Sequence, residues 1–407
     1  MAILVQKFGG TSLQSPASIS KVISHIKQAI KNKYKLVVVV SALGRMPDPY
    51  ATDTLLGLIN QSTALHKRRE TDLLLSCGET IASVVLSNEM QNSNIRSVAL
   101  TGAQAGIMTT SEFTQAKIKS VNTTRLLNEL DNHDVVVVAG FQGQTSTGEI
   151  TTIGRGGSDT TAAALGVALN AEKVEIFTDV NGIMTADPRM VKSARQLKIV
   201  TYTDICNLAY QGAKVVHPRA VELVMQANIP LHVRSTYSTD DGTLVTNSNI
   251  KEIPDQLITG IAHMPSVTQI KIKNREEMYR LQSEVFKVLA DGGISVDFIN
   301  ISPTGLIFTI PNVYTQAALD HIIKLGFNPQ VIENCAKVSV VGGGMMGVPG
   351  IASKIVQALT EKGIQILQSA DSHTTIWVLI HEKDLTNAVN ALHDTFHLGQ
   401  TVEPGIK

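Results

Sequence analysis

Short aliphatic runs alternate with longer amphipathic stretches through residue 246, the pattern of helices laid over both faces of a mostly parallel sheet. The pattern predicts buried strands at Ile3 to Lys7, Leu36 to Ser41, Ser97 to Thr101, Asp134 to Phe141, Val174 to Thr178 and Leu231 to Ser235. Their continuous Val, Ile and Leu leaves no polar face for solvent. Between the first two, Ser15-Pro16 reads as an N-cap followed by proline at the first helical position. Ile19, Val22, Ile23, Ile26 and Ile30 then recur at helical spacing. The expected architecture is a three-layer α/β domain over residues 1–246. Residues 247–256, polar and containing Pro254, read as a linker.

Beyond the linker the pattern shortens and repeats. Val267 to Ile272, a helix through Val285 and Leu289, Ile294 to Ile301, Leu306 to Ile310, a helix from Thr315 to Leu325 and Gln330 to Ile332 spell βαββαβ. Val338 to Val341, a helix from Pro349 to Leu359, Ile364 to Ala370, Thr375 to Ile380 and a helix from Leu385 to Phe396 repeat it without the last strand. Leu257 to His263 is an extra strand, expected to close the second copy's sheet. Two tandem ferredoxin-like units are therefore expected, at 264–334 and at 335–400 plus 257–263. Their open edges suit sheet pairing with another copy, so at least a homodimer is expected.

Composition narrows the function classes. In 407 residues, 35 Lys and Arg balance 35 Asp and Glu, which leaves no general field to hold a polyanion. Nucleic acid and anionic membrane are poor partners for such a chain. No apolar run reaches the ~20 residues of a membrane span, and no basic, then apolar leader precedes the first strand. Three widely spaced cysteines (Cys77, Cys206, Cys335) give neither a disulfide framework nor a CxxC zinc motif, and a reducing cytoplasm is the expected compartment.

Several clusters carry chemistry. Lys7-Phe8-Gly9-Gly10-Thr11-Ser12 puts an ammonium and a pair of glycines at a strand's carboxyl end, where backbone can approach a phosphate; the spacing is not that of a P-loop. Gly154-Arg155-Gly156-Gly157-Ser158-Asp159 is denser: glycines around an arginine, then Ser158 as an expected N-cap, then an alanine-rich helix running to about Leu169. Free N–H groups, a positive dipole end and a guanidinium fork together form an anion site. Ser76-Cys77-Gly78-Glu79 places a carboxylate near an expected helix start, where Glu79 either complements the dipole or faces a substrate ammonium. Cys77 reads as a small core residue and His217 as a structural histidine. Thr178-Asp179 ends a strand, and Asp187-Pro188-Arg189 follows the Asn181-Gly182 turn, so these residues either hold a nucleotide or make ordinary turns. Gly342 to Gly347 matches GxGxxG, but its unit is too small for paired βαβ halves; its N–H groups suit the carboxylate of a small effector instead.

The order of these motifs, with the Ser41 to Gly44 turn, Gln104-Ala105-Gly106 and Gly212 to Arg219, resembles that of the aspartate kinases over essentially the whole chain: an amino-acid-kinase domain followed by two ACT domains. The resemblance implies transfer of phosphate from MgATP to the β-carboxylate of L-aspartate, with ATP and Mg2+ as cofactors and the metal carried by nucleotide phosphates and water. It also implies that the product, 4-phospho-L-aspartate, enters lysine, diaminopimelate, threonine and methionine synthesis. By the same resemblance Lys7 neutralises the transferring phosphoryl group and Asp159 orients it. Arg155 clamps a substrate carboxylate and Glu79 the ammonium, with Ser41, Thr52 and Ser158 completing that pocket. Phe8, Gly9, Gly10, Thr178, Asp179, Met184, Asp187, Arg189 and Lys214 take the nucleotide. Met184 stands where many relatives have tyrosine. Gln368 to His373 replaces the Thr-Ser-Glu of lysine-regulated relatives. Ser369 to Trp377 resembles the diaminopimelate-regulated members of endospore-forming bacilli, which implies an effector site at Met345, Met346, Ser369, Asp371 and His373. A related amino-acid kinase with another substrate and a non-catalytic amino-acid sensor are the alternatives. A fused dehydrogenase is not expected.

Overall fold

Valine runs fix the centre of the first unit: Val37 to Val40 and Val135 to Val138 are fully buried, and strands of this kind need cover on both faces. In the computed structural model the described residues are 2–59, 65–213, 215–247, 257–273, 278–345 and 347–400. The expected linker lies almost wholly outside them, at 248–256. Eight strands among the described residues form one sheet, in the order Ile199–Thr201, Thr243–Thr246, Leu231–Ser235, Lys173–Thr178, Ile3–Phe8, Lys35–Val40, Val135–Ala139 and Ser97–Leu100. Every neighbouring pair is parallel except Leu231–Ser235 against Thr243–Thr246. The chain order reverses at Ile3–Phe8, so the carboxyl end of that strand is the natural ligand crevice. Helix Pro16–Lys31 begins as expected, its Ser15 hydroxyl accepting the Ser18 N–H at 3.2 Å. A small second sheet, containing Ile107–Thr109, Gln142–Gln144 and Ile150–Thr152, carries the chain into the glycine loop.

The second unit is built on one antiparallel sheet of six strands among the described residues: Asp297–Ser302, Gly305–Pro311, Gly260–Lys273, Gln330–Val341, Thr375–His381 and Gln368–Asp371. Here the structure corrects the sequence reading. The expected strands 257–263 and 267–272 are one strand, and so are 330–332 and 338–341, because each repeat hands its strand directly to the other. Gly260 to His263 pairs with Val341 to Val338, and after irregularities at Met264 to Gln269 the same strand pairs with Val331 and Gln330. Helices Met278–Asp291 and Thr315–Lys324 cover a core of Ile270, Leu281, Val285, Phe308 and Ile322. Helices Ile351–Glu361 and Leu385–Thr395 cover a second core of Val338, Val340, Ile355, Val378 and Leu392.

Two segments depart from their place in the sequence, Met184–Arg195 and Tyr210–Ala213. Met184–Arg195 lies between strands of the first unit yet belongs to the second. Ala186 and Val191 join the core of that unit, and Ile261 N–H bonds Thr185 O at 2.8 Å. Fully buried His393 has Nε2 3.0 Å from Thr185 Oγ1 and Nδ1 3.4 Å from Ser193 Oγ. Burial holds the His393 imidazole below its usual range, so the ring is neutral at pH 7 and its two nitrogens divide donor and acceptor roles. Among the described residues no helix is long and apolar enough to cross a membrane.

His393→Leu removes both contacts without opening a large cavity. A loss of about 1–3 kcal/mol is expected in urea unfolding, followed through Trp377, the single tryptophan, which sits in the same unit. An unchanged midpoint would show that these bonds do not fasten the segment.

Candidate active site

Lys7 and Asp159 meet first. Lys7 Nζ lies 2.7 Å from Asp159 Oδ1, both side chains only 13% exposed. Lys7 stands near the end of its strand, and Asp159 sits in the first turn of helix Gly157–Ala168. The other carboxylate oxygen, Oδ2, accepts the His217 N–H at 3.3 Å, which draws in the start of helix Pro218–Ala227. His217 caps that helix, with Nδ1 accepting the Arg219 N–H at 3.4 Å; this fits a structural histidine.

The glycines have particular jobs. A Cβ on Gly10 would stand 2.5 Å from both Ala42 O and Gly44 O, so the turns after the first two strands close only over bare backbone. Gly44 N–H donates to Gly10 O at 3.0 Å and Ser41 N–H to Phe8 O at 3.2 Å. The expected N-cap at Ser158 is corrected. The helix starts at Gly157 and its cap is Gly156, held at φ +71°, a conformation serine would resist; Ser158 is buried inside the first turn. Arg155 is exposed at the loop tip.

Glu79 is also placed differently from the sequence reading. It lies within the 28-residue helix Leu65–Asn92, far from any end, because Gly78 serves close packing and does not mark a helix start. A Cβ on Gly78 would meet Ala42 Cβ at 2.9 Å and Tyr50 O at 3.1 Å. Glu79 is 2% exposed; Oε1 accepts the Ala42 N–H at 3.1 Å, and Oε2 has no hydrogen-bond partner among the described residues. Desolvation pushes its carboxyl up to about 8. Ser41 and Thr52, the latter opening helix Thr52–Leu56, are half-buried in the same stretch of chain. Cys77, expected in the core, is exposed.

The remaining expected residues divide. Phe8 is fully buried and stacks on Phe177 at 4.6 Å between centroids, so only its main chain is available to a ligand. Thr178 Oγ1 donates to Asp179 Oδ1 at 3.1 Å, and Asp179 pairs with Arg45 at 3.4 Å on the surface. Met184, Asp187 and Arg189 belong to the second unit, where Arg189 and Asp187 clasp each other at 2.7 Å. Lys214 and Met346 lie outside the described residues. Of the effector residues, Met345, Asp371 and His373 line one cleft of about 660 Å3 with Gly347, Val348 and Ser372; Ser369 is exposed two residues before Asp371 on the same strand, Gln368–Asp371, and does not line it. Two contributors were missed by sequence reading: the Ala42 N–H on Glu79 and the His217 N–H on Asp159. Both are main-chain groups, which no side-chain motif announces.

The amino acid kinase family is matched over residues 2–235 and the ACT domain over 330–394. The class is therefore an amino acid kinase carrying an ACT region. Over 404 residues the chain is 57% identical to aspartokinase 1 of Bacillus subtilis strain 168, covering 98% of this chain and 100% of that one. It is 40% identical over 406 residues to the aspartokinase of Geobacillus stearothermophilus, covering 98% of each. The fold is shared with Escherichia coli aspartokinase III, solved with aspartate and ADP, at a TM-score of 0.79 and 24% identity over 97% of this chain and 99% of that one. This chain belongs to the aspartokinases.

Gly156→Ala is expected to lower kcat/KM for phosphoryl transfer by on the order of tenfold or more. Its Cβ would stand 2.1 Å from His217 Cγ, so the ring must move and take the His217 N–H off Asp159. Steady-state rates equal to those of the parent protein would show that the loop tolerates the shift.

Proposed function

We propose that this aspartokinase transfers the γ-phosphoryl group of MgATP to the β-carboxylate of L-aspartate, forming 4-phospho-L-aspartate for lysine, diaminopimelate, threonine and methionine synthesis. The Lys7–Asp159 pair beside the glycine loop carries the reading. The aspartate carboxylate is already ionised, so the step needs no general base: its oxygen bonds to phosphorus while the bond to the β-phosphate breaks and ADP leaves with the electron pair. The obstacle is repulsion between two anions. Lys7, oriented by Asp159, offsets charge on the transferring group, and N–H groups of Gly9, Gly10 and the Gly156 to Ser158 turn add fixed dipoles. When bound, Mg2+ would be held by the nucleotide phosphates and water and would offset the charge of those phosphates. Arg155 takes a carboxylate of aspartate and Glu79 its ammonium, with Ser41, Thr52 and Ser158 around them. Thr178, Asp179, Met184, Asp187, Arg189, Lys214 and the Phe8 main chain bind the nucleotide.

Residues 1–246, less the segments Met184–Arg195 and Tyr210–Ala213 that cluster with the other unit, form the catalytic domain, 264–334 the first ACT domain, and 335–400 with 257–263 the second, with 247–256 as the linker. The cleft at Met345, Asp371 and His373 receives an amino-acid effector; meso-diaminopimelate suits it, since Asp371 can meet a second ammonium and His373 or a nearby N–H a second carboxylate. The enzyme works in the cytoplasm as at least a homodimer joined through its ACT domains.

Acyl phosphate trapped with hydroxylamine should form only with both aspartate and MgATP present, and Lys7→Met should lower kcat by about 10²-fold or more. Product formation with glutamate in place of aspartate at comparable kcat/KM would sink the substrate assignment.

Glu79 makes a second prediction. Because its folded pKa is raised, the ligand-free protein keeps that proton from pH 4.5 to about 8, and this group makes stability fall as pH rises across that window. A substrate ammonium favours the ionised form, so aspartate binding at pH 7 should release a proton and tighten as pH approaches 8. Calorimetry in buffers of different ionisation enthalpy measures the release; none, in the parent protein, would remove Glu79 from the ammonium site.

A further inference from the structure

Asp72 is a fully buried carboxylate that no cation among the described residues pairs with. It accepts the Thr114 N–H on both oxygens, at 3.0 and 2.9 Å, the Thr152 N–H at 2.8 Å and the Thr152 hydroxyl at 2.7 Å. Burial of an uncompensated carboxylate is costly, and a well-packed apolar residue would hold a helix in place at least as well. Desolvation holds the Asp72 carboxyl above its usual range even against these hydrogen bonds. What the carboxylate supplies is a fixed geometry for two stretches of backbone.

Those two stretches meet at the root of the Arg155 loop. Thr152 ends its strand three residues before Arg155, and while its N–H is held by Asp72 its carbonyl accepts the Ala116 N–H at 3.0 Å. Thr114 is a β-branched residue at φ +70°, a strained conformation that persists only where its surroundings impose it. Its carbonyl lies 3.0 Å from where a Cβ on Gly154 would stand, so it bounds the loop from the side. Asp72 and Glu79 are seven residues apart on one helix, two turns along the same face.

We propose that Asp72 is a positioning residue: through Thr152 and Thr114 it sets the take-off of the Arg155 loop, so that one helix fixes both the ammonium end and the carboxylate end of the amino-acid site. The proposal rests on the reading of Arg155 as the carboxylate clamp. Asp72 touches neither substrate nor nucleotide; it acts by keeping the two recognition groups at the separation that suits aspartate.

Asp72→Asn keeps the size but turns an N–H group toward donors. It should raise KM for aspartate on the order of tenfold while leaving KM for ATP within about twofold. Arg155→Lys should raise KM for aspartate as well, and the double variant should be little worse than Arg155→Lys alone, because both changes act through one guanidinium. Thr152→Val, which deletes only the hydroxyl bond, should shift the aspartate KM in the same direction by about threefold, and it decides the matter if Asp72→Asn does not fold. Equal rises in both KM values, additive losses in the double variant, or a lowered melting temperature with unchanged KM would make Asp72 a structural post and overturn the proposal. Arg155→Lys with an unchanged aspartate KM would bring down the clamp reading, and this proposal with it; an impaired Arg155→Lys beside an unimpaired, folded Asp72→Asn would overturn the proposal alone.

Discussion

One carboxylate joins three elements of the first unit. Asp159 holds Lys7 on the central strand with one oxygen and the backbone at the head of helix Pro218–Ala227 with the other, from the first turn of a third element. The pair is shielded enough for its attraction to be well above that of an exposed ion pair. It also sets a demand on everything nearby: the glycine turns must be bare, since the main chains after the first and second strands touch at 3.0 Å over Gly10 and Gly44. The valine-rich sheet beneath is the rigid base that lets those turns hold their places.

The helix Leu65–Asn92 follows a second electrostatic logic. Asp72 and Glu79 are both buried and both lifted above the ordinary carboxylate range by desolvation, yet their hydrogen bonding differs. Every donor around Asp72 is supplied by the protein, so the group is satisfied and stiff. Glu79 keeps one oxygen without a partner among the described residues, which is the condition of a group prepared for an incoming cation. Side by side on one face, they show a buried acid used as scaffold and a buried acid used as receptor.

Much of this could be read from the chain. Continuous Val and Ile runs located six strands of the main sheet within a residue or two, and the glycine loop with Arg155 and Asp159 marked the anion site. The misreadings have physical causes. Gly78 and Ser158 look like helix punctuation, but Gly78 is small because Ala42 and Tyr50 press against it, and the loop's own Gly156 supplies the left-handed cap. The shared strand Gln330–Val341 was cut in two because Glu333 and Asn334 are polar where it runs exposed, and Gly260–Lys273 because Pro265 and Ser266 interrupt its apolar run where it too is exposed. Asp72 was invisible as chemistry: a lone aspartate in an amphipathic helix looks solvated unless its spacing from Glu79 is noticed.

The segment Met184–Arg195 changes what a boundary means in this protein. In the sequence it lies inside the catalytic stretch; in space its Ala186 and Val191 are part of the other unit's interior. A protein cut at residue 246 would therefore carry two apolar side chains torn from their packing, and the remainder would have a core with a missing wedge. The domain boundary drawn along the sequence is therefore not the boundary of packing, and a cut made by sequence alone divides a hydrophobic core.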